Sequence, residues 1–293
     1  MTCDLALIGF GEAGSTFARA AGWEDHARGW DVLAPRRAAM AEAGVIAAGS
    51  AAEALAGAPL VLSLVTADQA LVCAQDYAPL LDAGALWCDC NSVAPDTKRA
   101  AAQAIAAAGG RYVDVAVLAP VHPARLNVPL LLAGPAADAA ETALRELGFT
   151  NIRVVGSEVG RASAIKMIRS VMVKGLEALT DEMMAAANAA GVADEVLASL
   201  DASEKALPWR DRAAYNLERM ATHGARRAAE MEESARTLLS LGVPPVMTRG
   251  TVYRQREAAG KNHPPFVSSV VETPRTRVST TLDTNGDGIG VKA

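Results

Sequence analysis

A glycine-rich stretch near the start of the sequence has the residue types and spacing of a phosphate-binding turn. Gly9-Phe10-Gly11-Glu12-Ala13-Gly14 fits the pattern G-x-G-x-x-G, follows an apolar run at residues 5–8 and precedes a helix-compatible segment at residues 15–21. The first glycine permits a tight turn, the second lets a pyrophosphate approach the backbone, and the third lets helix and strand pack closely. Free N–H groups at the helix start would face the phosphates. We therefore predict a dinucleotide-binding site here, in preference to a purely structural turn.

A second stretch places several polar side chains on one face of a helix-compatible segment. At about 100° per residue, Ser170, Lys174 and Glu177 project within about 80° of Lys166. The flanking residues, such as Ile165, are apolar and indicate burial of the other faces. Because lysine is rarely buried without a partner, this face is either solvated or lines a cleft. The apolar neighbours favour a cleft.

The residues that would select the cofactor follow the glycine turn. Asp31 lies 17 residues after Gly14, at the end of the second predicted strand, where an acid can bind both adenosine ribose hydroxyls and favour NAD. Arg36 could instead hold the 2′-phosphate of NADP, although it also fits an exposed first helical turn. Val65 and Thr66 end another predicted strand, whose carboxyl end should border the cofactor. We expect NAD or NADP, with NAD favoured.

Composition narrows the class of protein. With 293 residues and 51% hydrophobic residues, the chain can form two domains with a sizeable core. A net charge of −5 argues against a nucleic-acid partner. No apolar run of about 18 residues suggests a membrane span, and the N-terminus lacks the basic region of a signal peptide. The spacing of the four cysteines does not suit a zinc site, so we expect reduced thiols, no metal and a cytoplasmic protein.

The organisation of the chain predicts an α/β fold. Up to about residue 155, short apolar runs alternate with alanine-rich helical stretches, as in a parallel sheet wrapped by helices. Predicted strands, after the first, cover residues 27–33, 44–46, 60–65, 85–89, 112–117, 128–133 and 152–155. Predicted helices cover residues 36–43, 51–56, 69–81, 96–108 and 137–147. We expect an N-terminal doubly wound Rossmann domain over residues 1–156, an all-α domain over 157–261, and an extended or disordered tail over 262–293.

Three further motifs follow one another along the chain. Asp89-Cys90-Asn91-Ser92-Val93-Ala94-Pro95 is similar to a D-x-[SN]-[ST]-x-x-P loop. The stretch at residues 114–123 stands where a D-A-P-V-S-G-G motif would be expected, and residues 160–170 are similar to G-x-G-x-x-x-K-x-x-N-N. With the glycine turn, this ordered set resembles the β-hydroxyacid dehydrogenases, relatives of 6-phosphogluconate dehydrogenase. The recognisable motifs span roughly residues 1–190, and residues 220–233 resemble a helical domain of some family members.

The resemblance implies oxidation of a hydroxyl carbon on a carboxylate-bearing substrate, with hydride passing to the nicotinamide. Lys166 matches the family's catalytic lysine and would be the general base, with Ser170 orienting the lysine or a substrate hydroxyl. Free lysine titrates near about 10.4 and is a poor base at neutral pH. Burial and a nearby cation, Lys174 or Arg169, would lower the pKa of Lys166 towards usefulness, whereas a close Glu177 would oppose that shift.

The resemblance also implies where the substrate would bind. Asn91 and Ser92 would hold substrate oxygens, unless they only cap the following helix. His122 and Lys174 are further candidate contacts, and Arg226 of the helical domain is a candidate anion clamp. Arg226 also fits ordinary ion pairing along its helix. A homodimer is implied by analogy with the family.

The sequence departs from the family pattern where the substrate should lie. Leu118-Ala119-Pro120 replaces the usual Ser-Gly-Gly, and Arg169 and Ser170 replace two asparagines. The substrate would therefore be held differently from the usual small hydroxyacids. Three alternatives stay open: an imine reductase, an oxidative decarboxylase of the phosphogluconate type, and a protein that binds NAD without turnover.

Overall fold

The computed structural model of the protein describes residues 4–203 and 206–261. The chain divides into two compact units, Met1–Glu177 and Ala178–Ala293. The tail that we expected to be extended or disordered, residues 262–293, lies outside the described residues. No helix among the described residues is both long and apolar enough to cross a membrane.

An eight-stranded sheet forms the centre of the first unit. Its strands are β1 (Leu5–Ile8), β2 (Ala27–Trp30), β3 (Ile46–Ala47), β4 (Leu60–Ser63), β5 (Leu86–Asp89), β6 (Arg111–Val117), β7 (Leu130–Ala133) and β8 (Ile152–Val154). Their order across the sheet is β3-β2-β1-β4-β5-β6-β7-β8. All neighbouring pairs are parallel except β6 and β7. Strand order reverses beside β1, which is the point where such sheets bind ligands.

Helices cover both faces of this sheet, so the predicted doubly wound Rossmann architecture is confirmed. They are α1 (Glu12–Ala21), α2 (Ala34–Glu42), α3 (Ala51–Leu55), α4 (Ala70–Tyr77), α5 (Pro95–Ala107) and α6 (Ala137–Glu146). Leu5 and Leu7 belong to one buried cluster and Ala6 and Ile8 to the other. This alternation arises because successive side chains of a strand point to opposite faces.

The sheet is not parallel throughout, which is a correction to the sequence-based expectation. Between β6 and β7 the chain forms only a short 3-10 turn, Arg125–Asn127. A parallel connection needs a crossover of a dozen or more residues, usually containing an α-helix, to return the chain to the same edge. Without such a helix the chain turns back directly, and β7 runs antiparallel to β6.

The structured segments described in the second unit are helical, as predicted. Helix α7 (Arg161–Ala190) begins in the first unit, and α8 (Ala193–Ser203), α9 (Trp209–Ser240) and α10 (Val246–Ala258) follow it. The unit boundary falls inside α7, about twenty residues beyond the boundary expected after residue 156. The cause is that the start of α7 is bonded to the sheet through Asp114.

Helices α9 and α10 approach each other most closely at Gly224. A Cβ atom at this position would lie 2.3 Å from the carbonyl oxygen of Gln255 and 3.2 Å from the Cβ of Ala259. A side chain of any size would therefore push the two helices apart.

We predict that Gly224→Ala destabilises the second unit by about 1–3 kcal/mol, because the added methyl group meets backbone. Gly250→Ala is the matched control, because a Cβ on this exposed residue of α10 meets no atom within 4 Å. It should stabilise the helix by up to about 1 kcal/mol. Urea unfolding followed by circular dichroism measures both changes. Equal midpoints for the two variants would contradict this account of the α9–α10 contact.

Candidate active site

The three glycines of the turn between β1 and α1 differ in what requires them. Gly9 has a φ of +91°, and a Cβ there would lie 2.7 Å from the carbonyl oxygen of Leu64. A Cβ on Gly14 would lie 3.0 Å from the carbonyl oxygen of Gly9. A Cβ on Gly11 would meet nothing within 4 Å. The packing of the protein therefore requires Gly9 and Gly14, whereas Gly11 borders open space in which a pyrophosphate fits.

A cavity of about 410 Å³ opens beside this turn. Its lining includes six of the predicted cofactor residues, namely Gly9, Gly11, Asp31, Arg36, Val65 and Thr66. Glu12 and Ala13 begin α1, whose first N–H groups have no partner within the helix. The side chain of Phe10, by contrast, is fully buried in the core. The backbone of the turn, together with the cavity, therefore fits a dinucleotide.

Asp31 is held at the end of β2 by two backbone N–H groups. Phe10 donates to its Oδ2 at 2.7 Å, and Leu33 donates to its Oδ1 at 2.8 Å. Since a carboxylate offers about four acceptor sites, one on each oxygen stays available. Two oriented acceptors side by side suit the vicinal hydroxyls of a ribose.

The two arginines after Asp31 have different surroundings. Arg37 donates to the carbonyl oxygens of Asp31 and Val32 at 2.7 and 3.0 Å and lies 4.9 Å above the ring of Trp30. Arg36 is exposed and lines the cavity, and no hydrogen bond to its side chain occurs within residues 4–203 and 206–261. Only Arg36 of this pair is therefore available to a ligand.

Lys166 and Ser92 meet at the carboxyl end of the sheet. The Nζ of half-buried Lys166, on α7, donates a hydrogen bond to the Oγ of Ser92, in the loop after β5. The hydroxyl of Ser170 instead donates to the backbone carbonyl of Lys166 at 2.9 Å. The amine of Lys166 therefore contacts Ser92 and not the hydroxyl of Ser170, and a contact of Ser170 with a substrate hydroxyl stays a prediction.

Burial lowers the pKa of Lys166 below its ordinary value of 10.5. The positive charges of Lys98 and then Lys174 act in the same direction, while Cys90 opposes them. Arg169, which we expected to contribute, turns away and donates to the carbonyl oxygen of Leu118 at 3.2 Å. A lowered pKa increases the neutral fraction of the amine near physiological pH, as an acid–base group requires.

Lys98 was not predicted from the sequence. It is fully buried on α5, beside Asp89 and Asp114. Its Nζ lies 3.0 Å from Oδ1 of Asp89, 2.5 Å from the carbonyl oxygen of Asp89 and 3.6 Å from Oδ1 of Asp114. Tyr112 donates to Oδ2 of Asp89 at 2.6 Å. A signal was present in the sequence, because Lys98, Ala101 and Ile105 share the buried face of one helix.

Asn91 is fixed from two sides. Its backbone N–H donates to Oδ1 of Asp89 at 2.9 Å, and its Nδ2 donates to the Oγ of Ser63 at 3.0 Å. Its Oδ1 is buried and accepts no hydrogen bond from the part of the chain that the structure describes. An oriented acceptor without a protein donor is suited to a ligand that carries a hydroxyl or an amide N–H.

The remaining predicted substrate residues are found in other surroundings. The Nε2 of His122 lies 2.9 Å from the Oγ1 of Thr16, on the helix that follows the glycine turn. Lys174 is exposed, two turns after Lys166. Arg226 is on α9, in the second unit. Their roles in substrate binding stay predictions.

The fold, the glycine turn and the oriented Asp31 define a dinucleotide-binding domain of the nicotinamide type. A family model for the NAD binding domain of 6-phosphogluconate dehydrogenase matches residues 4–156, and a model for a domain of unknown function, DUF1932, matches residues 187–258. The chain belongs to the 6-phosphogluconate dehydrogenase-like family of NAD(P)-binding proteins.

Solved structures resemble the chain over most of its length. A conserved hypothetical protein from Sinorhizobium meliloti 1021 is 40% identical, with a TM-score of 0.59, over 87% of this chain and 88% of that one. The conserved protein MTH1747 of unknown function is 28% identical, with a TM-score of 0.58, over 87% of this chain and 96% of that one. It is described as structurally similar to 3-hydroxyacid dehydrogenases. A Streptomyces aurantiacus imine reductase shares the fold at 22% identity and a TM-score of 0.69, over 86% and 93%.

We predict that Gly9→Ala and Gly11→Ala separate folding from cofactor binding. Gly9→Ala should cost about 2 kcal/mol or more of unfolding free energy, because alanine disfavours a positive φ and would meet Leu64. Gly11 has a φ of −80°, which alanine adopts freely, so Gly11→Ala should fold normally.

Its methyl group would nevertheless occupy the space proposed for the pyrophosphate and weaken cofactor binding at least about tenfold. Thermal unfolding and titration with reduced cofactor measure the two effects. Unchanged cofactor affinity in Gly11→Ala would contradict the assignment of this space.

Proposed function

We propose that the protein is an NAD(P)-dependent oxidoreductase that acts on the hydroxyl carbon of a carboxylate-bearing substrate, with Lys166 as general acid and base. The observation that carries the proposal is the half-buried amine of Lys166, bonded to Ser92 and with a lowered pKa. Ser92 follows β5, and the neighbouring strand β4 leads into Val65 of the cofactor cavity. The cofactor cavity and the Ser92 hydroxyl that contacts the amine thus lie beyond the carboxyl ends of adjacent strands.

Proton transfer by Lys166 fits either direction of such a reaction. In oxidation, the neutral amine accepts the proton of the substrate hydroxyl as the carbonyl forms; in reduction, the ammonium group returns it. Ser92 orients the amine by accepting its hydrogen bond, and the free Oδ1 of Asn91 would accept a hydrogen bond from the substrate. A bound nicotinamide would supply the hydride transfer.

Reduction of an imine is the second candidate reaction, and the fold shared with an imine reductase favours considering it. An ammonium group in the position of Lys166 could protonate a nitrogen as well as an oxygen. Assays with a panel of hydroxyacids and sugar acids and with cyclic imines, followed by the absorbance of the reduced nicotinamide, distinguish the two reactions.

A homodimer is part of the same proposal. The prediction that the apolar residues beside Lys166 are buried is wrong for several of them, because their side chains on α7 are exposed, among them Ile168 at 73% and Val171 at 75%. Apolar surface of this kind on one helix supports contact with a second copy of the chain.

We expect Asp31→Asn to raise the Kd for NAD at least about tenfold, equivalent to about 1.4 kcal/mol, because one ribose acceptor is lost. Arg36→Ala should leave the affinity for NAD unchanged and lower only that for NADP. Titration of both variants with both cofactors gives the four constants. NAD binding that is insensitive to Asp31→Asn would disprove the ribose assignment.

We expect Lys166→Met to fold and bind cofactor but to lose turnover by about 10²–10⁴-fold, the range of general acid–base catalysis. In the oxidative direction the amine must be neutral, so kcat/KM should rise with pH up to the lowered pKa of Lys166 and then level off. This rise should disappear in the variant.

Lys261→Met is the control for removal of a lysine charge, because among residues 4–203 and 206–261 the side chain of Lys261 forms only an exposed ion pair with Glu257. It should keep full activity. Turnover by Lys166→Met within a few fold of the native rate would exclude the proposed role.

A further inference from the structure

A fully buried ammonium group lies behind the site, and the proton transfer proposed above does not use it. We propose that Lys98 is a positioning residue, whose ammonium group joins the loop that carries Ser92 to the start of the helix that carries Lys166. The inference rests on the proposed role of Lys166. It assigns to Lys98 the geometry of the Lys166–Ser92 contact, rather than contact with the substrate.

The first connection runs through Asp89. Lys98 binds both the Oδ1 and the backbone carbonyl of Asp89, at 3.0 and 2.5 Å. The same Oδ1 accepts the N–H of Asn91 at 2.9 Å, and Tyr112 holds Oδ2. Ser92 is the next residue. The conformation in which the loop leaves β5 is therefore tied to the position of the ammonium group.

The second connection runs through Asp114. Its Oδ1 lies 3.6 Å from the Nζ of Lys98 and has no other hydrogen-bond partner among the described residues. Its Oδ2 accepts the N–H groups of Gly160 and Ser163 at 3.1 and 3.0 Å. These amides belong to the first turn of α7, where a negative charge is favourable. Lys166 lies one turn further along the same helix.

The cluster holds two buried carboxylates and one ammonium group. Asp89 is 1% exposed, and Asp114 and Lys98 are 0% exposed. Without Lys98 the two carboxylates would have no cation beside them, and the cost of an unpaired buried charge would drive a rearrangement. Both the loop and the helix start would then be free to move, and Lys166 would lose its fixed distance to Ser92.

The positive charge of Lys98 also affects Lys166 directly, because it lowers the pKa of the Lys166 amine. Apart from Lys98, the groups that influence the pKa of Lys166 are Cys90, beside Ser92, and Lys174, on the same helix. Removing Lys98 removes a positive charge that lowers the pKa of Lys166. The pKa of Lys166 should then rise towards the value of an exposed lysine.

The reactivity of lysine amines towards an acylating reagent reports the pKa of Lys166 without any substrate. The intact protein is treated with acetic anhydride across a pH series, cleaved by a protease that does not cut at lysine, and the acetylation of Lys166 and Lys174 is quantified by mass spectrometry. In the native chain Lys166 should become reactive at lower pH than Lys174. In Lys98→Met the higher pKa should make the acetylation of Lys166 below its pKa about threefold slower than in the native chain.

Lys98→Arg is the conservative variant and should keep the native pH profile of Lys166, because it retains the charge. Should Lys98→Met fail to fold, Lys98→Met with Asp114→Asn removes one buried carboxylate together with the ammonium group and should show a smaller rise, because the lost negative charge opposes it. Circular dichroism checks the fold of each variant. A folded variant without Lys98 in which only the melting temperature falls, with the Lys166 profile unchanged, would overturn the proposal.

The two proposals can fail separately. If Lys98→Met shifts the Lys166 profile while Lys166→Met keeps its turnover, the positioning role stands and the proposed catalytic role falls. If Lys166→Met abolishes turnover and the profile is insensitive to Lys98→Met, the positioning role alone is wrong.

Discussion

The position of the candidate catalytic lysine depends on one buried carboxylate. Asp114, in the antiparallel-paired strand β6, accepts two N–H groups at the start of α7. A helix start has N–H groups without intrahelical acceptors and a partial positive charge, so a carboxylate there meets both requirements at once. Because Lys166 lies in the second turn of the continuous helix α7, fixing the helix start also positions Lys166. The helix thereby belongs to the first unit until Glu177.

A second constraint determines where the cofactor can lie. Gly9 is required because the turn after β1 passes within contact of the backbone at Leu64, beyond the end of β4. These two strands are neighbours, and β1 also pairs with β2, which ends at Trp30, directly before Asp31. The close approach therefore brings the open side of Gly11 and the carboxylate of Asp31 to the same cavity. The strand order therefore determines both the geometry of the glycine turn and the position of Asp31, the residue that would select the cofactor.

Local pattern was enough to predict the glycine turn and the doubly wound sheet, since strand period and turn chemistry are short-range signals. The candidate roles of Lys166 and Ser92 were implied by the resemblance of their motifs to those of the family. Asp114 accepts hydrogen bonds from residues 46 and 49 positions further along the chain, at the start of α7. Contacts at such separations leave no pattern in the local sequence. Lys98 was missed for a related reason. A lysine in the first turn of a helix is normally exposed to solvent. The burial of Lys98 depends on Asp89 and Asp114, the carboxylates of two strands. The antiparallel direction of β7 was also missed, although no helix is predicted between β6 and β7.

Burial and neighbouring positive charge together explain the lowered pKa of Lys166. An adjacent carboxylate ordinarily stabilises an ammonium group and raises the pKa of lysine. Here Asp89 and Asp114 are already engaged by Lys98, by Tyr112 and by the first amides of α7. Lys166 therefore responds to burial and to the positive charge of Lys98 rather than to the carboxylates behind it. Lys98, buried and paired with Asp89, thereby adds to the effect of burial in lowering the pKa of Lys166.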